Sequence, residues 1–187
     1  MANISQNLLV KGAHGNVGKD FVFRTRGEKT HIMRMPRPSN KPATDGQEKS
    51  RDLFYFAVQF AKGVVALPKY KKLYQEKTES GNSAYNVAFK DYTQAPIVER
   101  IDAENYNGEG SRIIVEATDD FRVVRVKVKI TGEDGSLIEE GEAALEPVFR
   151  QSWSYIASKQ NPSIPGTIIK ATVYDIPENK GTLEITL

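Results

Sequence analysis

The chain has 187 residues, 39% of them hydrophobic and 27% charged, with a formal net charge of +2 and no cysteine. This is the composition of a protein that buries a core in one large domain or two small ones. The missing cysteines exclude a disulfide framework, thiol catalysis and a cysteine-based zinc site. The charge is unevenly spread: residues 1–100 carry 17 Lys+Arg against 9 Asp+Glu, and residues 101–187 carry 9 against 15. Such a split favours head-to-tail contact between copies or an acidic partner for the first half, although chance and solvation account for it equally well. The opening MANISQNLLVKGAHG has no early basic cluster and a single short apolar run, Leu8–Val10. Neither a signal peptide nor a membrane span is expected, and the default location is the cytoplasm.

Residues 13–20, AHGNVGKD, fall one residue short of a P-loop. Gly18 and Lys19 are in place, but Asp20 stands where a hydroxyl should hold magnesium. A P-loop also leads into a helix, whereas DFVFRTR reads as a strand. The glycines therefore predict a tight loop that needs positive φ or close backbone approach. A β-hairpin is expected over about 20–26 and 29–35, followed by a stiff connector around Pro36, Pro38 and Pro42. Residues 19–41 carry seven cations, Arg24, Arg26, Lys29, Arg34 and Arg37 among them, against Asp20 and Glu28. With Phe21, Phe23 and His31 interleaved, this ribbon could grip phosphates and stack on bases. A solvated face over core phenylalanines explains the same residues.

Three helices are expected next. The first starts near a capping box, Thr44 with Gln47 or Asp45 with Glu48. It carries a wide apolar stripe: Leu53, Ala57, Phe60 and Val64, with Phe54, Val58, Ala61 and Val65 beside them. Pro68 ends it. Residues 69–78 and 83–92 form the second and third, and the short breaks predict antiparallel packing.

From Pro96 onward the period changes to two. Strands are expected at about 97–102, 111–118, 121–131, 136–145, 151–158, 166–175 and 181–187, the pattern of a β-sandwich. In FRVVRVKVKITGEDG, Val124, Val126, Val128 and Ile130 alternate with Arg125, Lys127 and Lys129. The fold class predicted is α+β: an N-terminal hairpin-plus-helices region over 1–95 and a seven-stranded sandwich over 96–187.

The second half resembles bacterial immunoglobulin-like or fibronectin-type-III-like modules. The resemblance is carried by VEATDDFRVVRVKVKITGEDGSLIEEGEA, WSY and IIKATVYDIPENKG, with Asp119, Asp120, Val123, Val126, Val128, Ala171, Asp175 and Asn179 at the matching positions. It implies a fold and no activity. The first half, with GAHGNVG and HIMRMPRP, is similar to the opening of some uncharacterised bacterial proteins, a likeness that implies no function.

In a sandwich of this order the loop after the second strand and the loop before the last lie at one end. Asp119 and Asp120 should then approach Asp175, Glu178 and Asn179. Such oxygens could hold calcium, yet local turn bonding by Asp and Asn explains the same residues. Only His14 and His31 are present and no nucleophile context appears. Glu139 and Glu140 should face opposite ways on one strand. Trp153 and Tyr174 are candidate glycan platforms.

The function expected is a non-catalytic structural or protein-interaction role, in a larger bacterial or phage-like assembly. The alternative is nucleic-acid association through the basic hairpin. A protein partner or a second copy is expected. No membrane insertion, small-molecule substrate, cofactor or resident metal is expected.

Overall fold

The computed structural model describes residues 2–4, 6–10, 12–26, 29–35, 41–78, 82–148 and 151–187. They form an α+β protein with three helices and three antiparallel sheets, divided into compact units Met1–Asp45 and Gly46–Leu187. The first unit carries eight Lys+Arg against three Asp+Glu, so the positive end of the charge split coincides with it.

That first unit is one sheet in the order β1-β4-β3-β2, with β1 Ala2–Asn3, β2 Gly15–Val17, β3 Phe21–Arg26 and β4 Lys29–Arg34. The hairpin β3–β4 lies where its alternation placed it. β2 was not anticipated, because Gly12, Gly15 and Gly18 hide a three-residue strand among turn residues. All three have positive φ. The AHGNVGKD loop runs into a strand, not a helix. Pro36 and Pro38 lie outside the described residues.

In the second unit α1 spans Asp45–Ala66, α2 Pro68–Gln75 and α3 Ala84–Thr93. Pro68 opens α2 as well as closing α1, since its fixed φ and missing N–H suit a first turn. Ser83 caps α3 by accepting from the Asn86 N–H at 3.3 Å. No helix among the described residues is long and apolar enough to cross a membrane.

The strands are β5 Ile97–Asp102, β6 Arg112–Thr118, β7 Arg125–Thr131, β8 Leu137–Glu142, β9 Ala144–Leu145, β10 Ser152–Ile156, β11 Ile168–Tyr174 and β12 Lys180–Thr186. They form two antiparallel sheets, β5-β6-β10-β9 and β12-β11-β7-β8, around one apolar core. Val126, Val128, Ile130, Ile169, Ala171 and Val173 are fully buried there. Each of these valine and isoleucine side chains is worth roughly 1.5–3 kcal/mol.

Two expectations are corrected. The segment at 136–145 is two strands: at the buried Ala143 the chain leaves the sheet of β7 and joins that of β10. The segment at 121–131 becomes a strand only at Arg125, and Val124 is exposed. Phe121 instead packs with Ala61, Val64, Tyr74, Ala84 and Ala88 of the helices. Through that contact the helices pack onto the sheets within the unit Gly46–Leu187.

Gly181 of β12 marks where the chain leaving α3 crosses the sheet. A methyl there would overlap the carbonyl oxygen of Pro96, which is backbone and cannot swing aside. We expect Gly181→Ala to lower stability by at least about 1–3 kcal/mol in denaturant unfolding. Gly46→Ala, with nothing near its added methyl, should be neutral or slightly stabilising. Equal effects would refute the crossing as a packing constraint.

Candidate functional site

The polar groups that sequence spacing singles out at the sheet end converge on the helices. Asp119 follows β6, and Asp175 and Asn179 sit in the β11–β12 turn. From α3, Asp91 projects into the same place. One oxygen from each of Asp91, Asp119 and Asp175 lies within 4.8 Å of the other two. Asp91 and Asp175 are fully buried and Asp119 is half-buried.

Each carboxylate is held from a different direction. The Tyr74 hydroxyl of α2 donates to Asp91 Oδ2, and the Tyr74 ring stacks on Phe121 with centroids 4.2 Å apart. Asp119 Oδ2 accepts the N–H groups of Phe121 and Arg122 at 3.0 and 2.6 Å, a side-chain turn of the expected kind. Asp175 accepts from Asn179 twice, at Oδ1 from the backbone N–H (2.6 Å) and at Oδ2 from the side-chain amide (2.8 Å). That amide also reaches the carbonyls of Asp91, Tyr92 and Gln94 at the end of α3.

Two oxygens are left over. Asp91 Oδ1 and Asp119 Oδ1 are buried and have no hydrogen-bond partner among the described residues. The other charges expected here turn away. Asp120 pairs with Lys90 at 3.1 Å and Glu178 with Arg125 at 2.6 Å. The Lys77 ammonium donates to the Phe121 carbonyl. Sequence spacing brought Asp119 to Asp175 and missed Asp91. The signal was present: Ala84, Ala88 and Asp91 share the buried face of α3.

Burial pushes the Asp91 carboxyl up to about 7. The charges of Asp119, Asp175 and Asp120 add to this, and the Tyr74 hydrogen bond opposes it. Burial also raises Asp175 to about 6, against its bonds from Asn179. Burial and the Asp91 contact hold the Tyr74 hydroxyl well above its usual range.

A second buried carboxylate, Glu139, accepts from the Tyr155 hydroxyl and from the Ser158 N–H and hydroxyl. Glu140 is exposed, so the pair does face opposite ways. Trp153 is buried with its neighbour Tyr155, which removes it as a glycan platform. Tyr174 lies between Arg125 and Lys180 at 4.2 and 5.5 Å from its ring centre.

The basic hairpin is less focused than its sequence suggests. The pairings Arg24↔His31 and Arg26↔Lys29 put positions 24, 26 and 29 on one face. Arg34, opposite Phe21, belongs to the other face. Arg37 lies outside the described residues. Arg24, Lys29 and Arg34 are exposed.

No protein-family model matches the sequence, and no match is found among curated proteins.

The raised carboxyls set a sign for pH dependence. Above pH 3.8 the unfolded chain has released protons that the folded chain still holds on Asp91 and Asp175. Their contribution is full below that pH and is lost as pH rises through about 6 and 7. With chelator present, Asp91→Asn should therefore gain Tm relative to the parent protein on going from pH 5 to pH 8. A calorimetric difference that does not change between those pH values would rule this out.

Proposed function

We propose that the chain is a non-catalytic structural or protein-interaction protein, a component of a larger bacterial or phage-like assembly. The observation that carries this reading is the first half of α1. Every residue from Asp45 to Phe56 is exposed, with Leu53, Phe54, Tyr55 and Phe56 at 45%, 60%, 58% and 54%. Successive helical positions are about 100° apart, so these four side chains surround most of the helix. Helices apolar on all sides are normally covered, and apolar surface left in water forgoes roughly 25 cal/mol per Å². Contact with a protein, a second copy included, would recover that energy.

We further infer an immunoglobulin-like arrangement for residues 96–187. In the lettering of that fold, β5, β6, β10 and β9 follow the order A-B-E-D, and β12, β11 and β7 follow G-F-C. This order supports the resemblance in sequence, which speaks to the fold and not to an activity.

The test is absolute mass by light scattering after gel filtration, across concentration and salt. The wild type should gain mass with concentration, and a Phe54→Asp/Phe56→Asp variant should remain a monomer with unchanged circular dichroism. A wild type that is monomeric throughout would sink self-association through α1. If high salt alone dissolves the oligomer, the contact is between the basic and acidic halves instead.

The shared face of positions 24, 26 and 29 keeps nucleic-acid association as a second reading. Under it, binding to a DNA or RNA oligonucleotide weakens steeply with salt. Joint Arg24→Ala and Lys29→Ala substitution should reduce that binding; undiminished binding would exclude the hairpin.

A further inference from the structure

We propose that Asp91, Asp119 and Asp175 form a binding site for one divalent cation, calcium by size and ligand chemistry. The inference is independent of the partner reading, which concerns a different surface.

Three observations carry it. The first is the geometry: three carboxylate oxygens, one from each residue, lie within 4.8 Å of one another. Three oxygens spaced evenly around one calcium ion, with bonds of 2.3–2.6 Å, lie about 4–4.5 Å apart, and an opposed pair about 5 Å. Magnesium would need the widest pairs to close to about 4 Å and demands a stricter octahedron.

The second is the pattern of free lone pairs. Asp91 is fully buried, and its Oδ1 has no partner among the described residues; nor has Asp119 Oδ1. Their Oδ2 atoms are already engaged, by the Tyr74 hydroxyl and by two backbone N–H groups. A buried carboxylate oxygen without a donor is costly, and a cation satisfies several such oxygens at once.

The third is charge. Among the described residues none of the three carboxylates forms an ion pair. Lys90 is taken by Asp120, and Lys77 is held at the Phe121 carbonyl. Up to three negative charges thus meet at the C-terminal end of α3, whose dipole also favours a positive charge. Of the three carboxylates, that of Asp119 is nearest to solvent. Asp119 lines an open cleft of about 790 Å³ together with Lys77, Phe121 and Trp153, while Asp91 and Asp175 lie buried behind it.

Calcium chloride titrated into chelator-treated protein at neutral pH decides the matter, by calorimetry and by Tm. Terbium luminescence excited through tyrosine is a second readout, since Tyr74 touches the site. The expected result is one ion per chain, a higher Tm with calcium, and a smaller effect of magnesium. Asp119→Asn should weaken calcium binding at least about tenfold while keeping its fold, because an asparagine oxygen can still accept the Phe121 and Arg122 N–H groups. Glu184→Gln, on an exposed strand position, should bind as the wild type does. Absence of both heat and Tm shift at millimolar calcium in the wild type overturns the proposal, whatever the variants do. So does calcium binding that Asp119→Asn leaves unchanged.

Discussion

One side-chain amide ties the helices of the second unit to its sheets. Asn179 Nδ2 lies 3.1, 3.2 and 3.3 Å from the carbonyl oxygens of Asp91, Tyr92 and Gln94, and 2.8 Å from Asp175 Oδ2. Two N–H bonds therefore serve four acceptors. The last carbonyls of any helix lack partners within it, and here a residue 85 or more positions away supplies them. The amide is itself fixed by the turn that carries it. The Asn179 N–H donates to Asp175 Oδ1, and Glu178 adopts φ of 68°, an uncommon conformation for a residue with a side chain. A less rigid turn would lose the cap at the cost of several buried acceptors.

This tie explains why the aspartates are buried. To receive the Asn179 amide, the end of α3 must come down onto the β11–β12 turn, and Asp91 descends with it. Phe121 completes the approach by stacking on Tyr74, so the segment before β7 belongs to the helical core rather than to the strand. Apolar residues at 91, 119 and 175 would avoid the desolvation of three carboxylates. Yet Asp119 and Asp175 each organise a turn through one or both oxygens, and leucine can do neither. The structure places the polar cost where the turns need carboxylates, and burial there raises Asp91 and Asp175 together.

Much of the fold was legible because it is written in local periodicity. Alternation located β3, β4, β6, β11 and β12, and Pro68 and Ser83 marked helix boundaries through their own backbone chemistry. What escaped was set by tertiary contact. The passage from β8 to β9 occurs at Ala143, between Glu142 and Ala144, with no proline or glycine at that point to announce a change of sheet. Val124 continues the alternation of β7 but is exposed, because the Asp119 turn has already drawn Phe121 toward the helices. For the candidate site, Asp119 and Asp175 followed from the order of loops in a sandwich. Asp91 did not, since its role depends on where α3 docks. Its spacing from Ala84 and Ala88 put it on the buried face, but a single aspartate near a helix end reads as solvated until the partner surface is known.

The apolar stripe of α1 shows the same limit in a different way. The stripe runs from Leu53 to Val65, and periodicity alone says that all of it should be covered. Burial begins only at Ala57. The reason is length. At 1.5 Å per residue α1 is about 33 Å long, whereas α2 and α3 reach about 12 and 15 Å. Neither short helix can accompany α1 over its whole course. The edge contact between Phe54 and Phe89, at 5.2 Å, brings α3 to the start of the stripe without covering it. Tyr55 and Phe56 are then left to pack on each other in water. A helix needing only its own unit's core could end its apolar content where the neighbours end. This one carries its aromatic residues beyond them, so the helices and sheets of its own unit do not cover the start of the stripe.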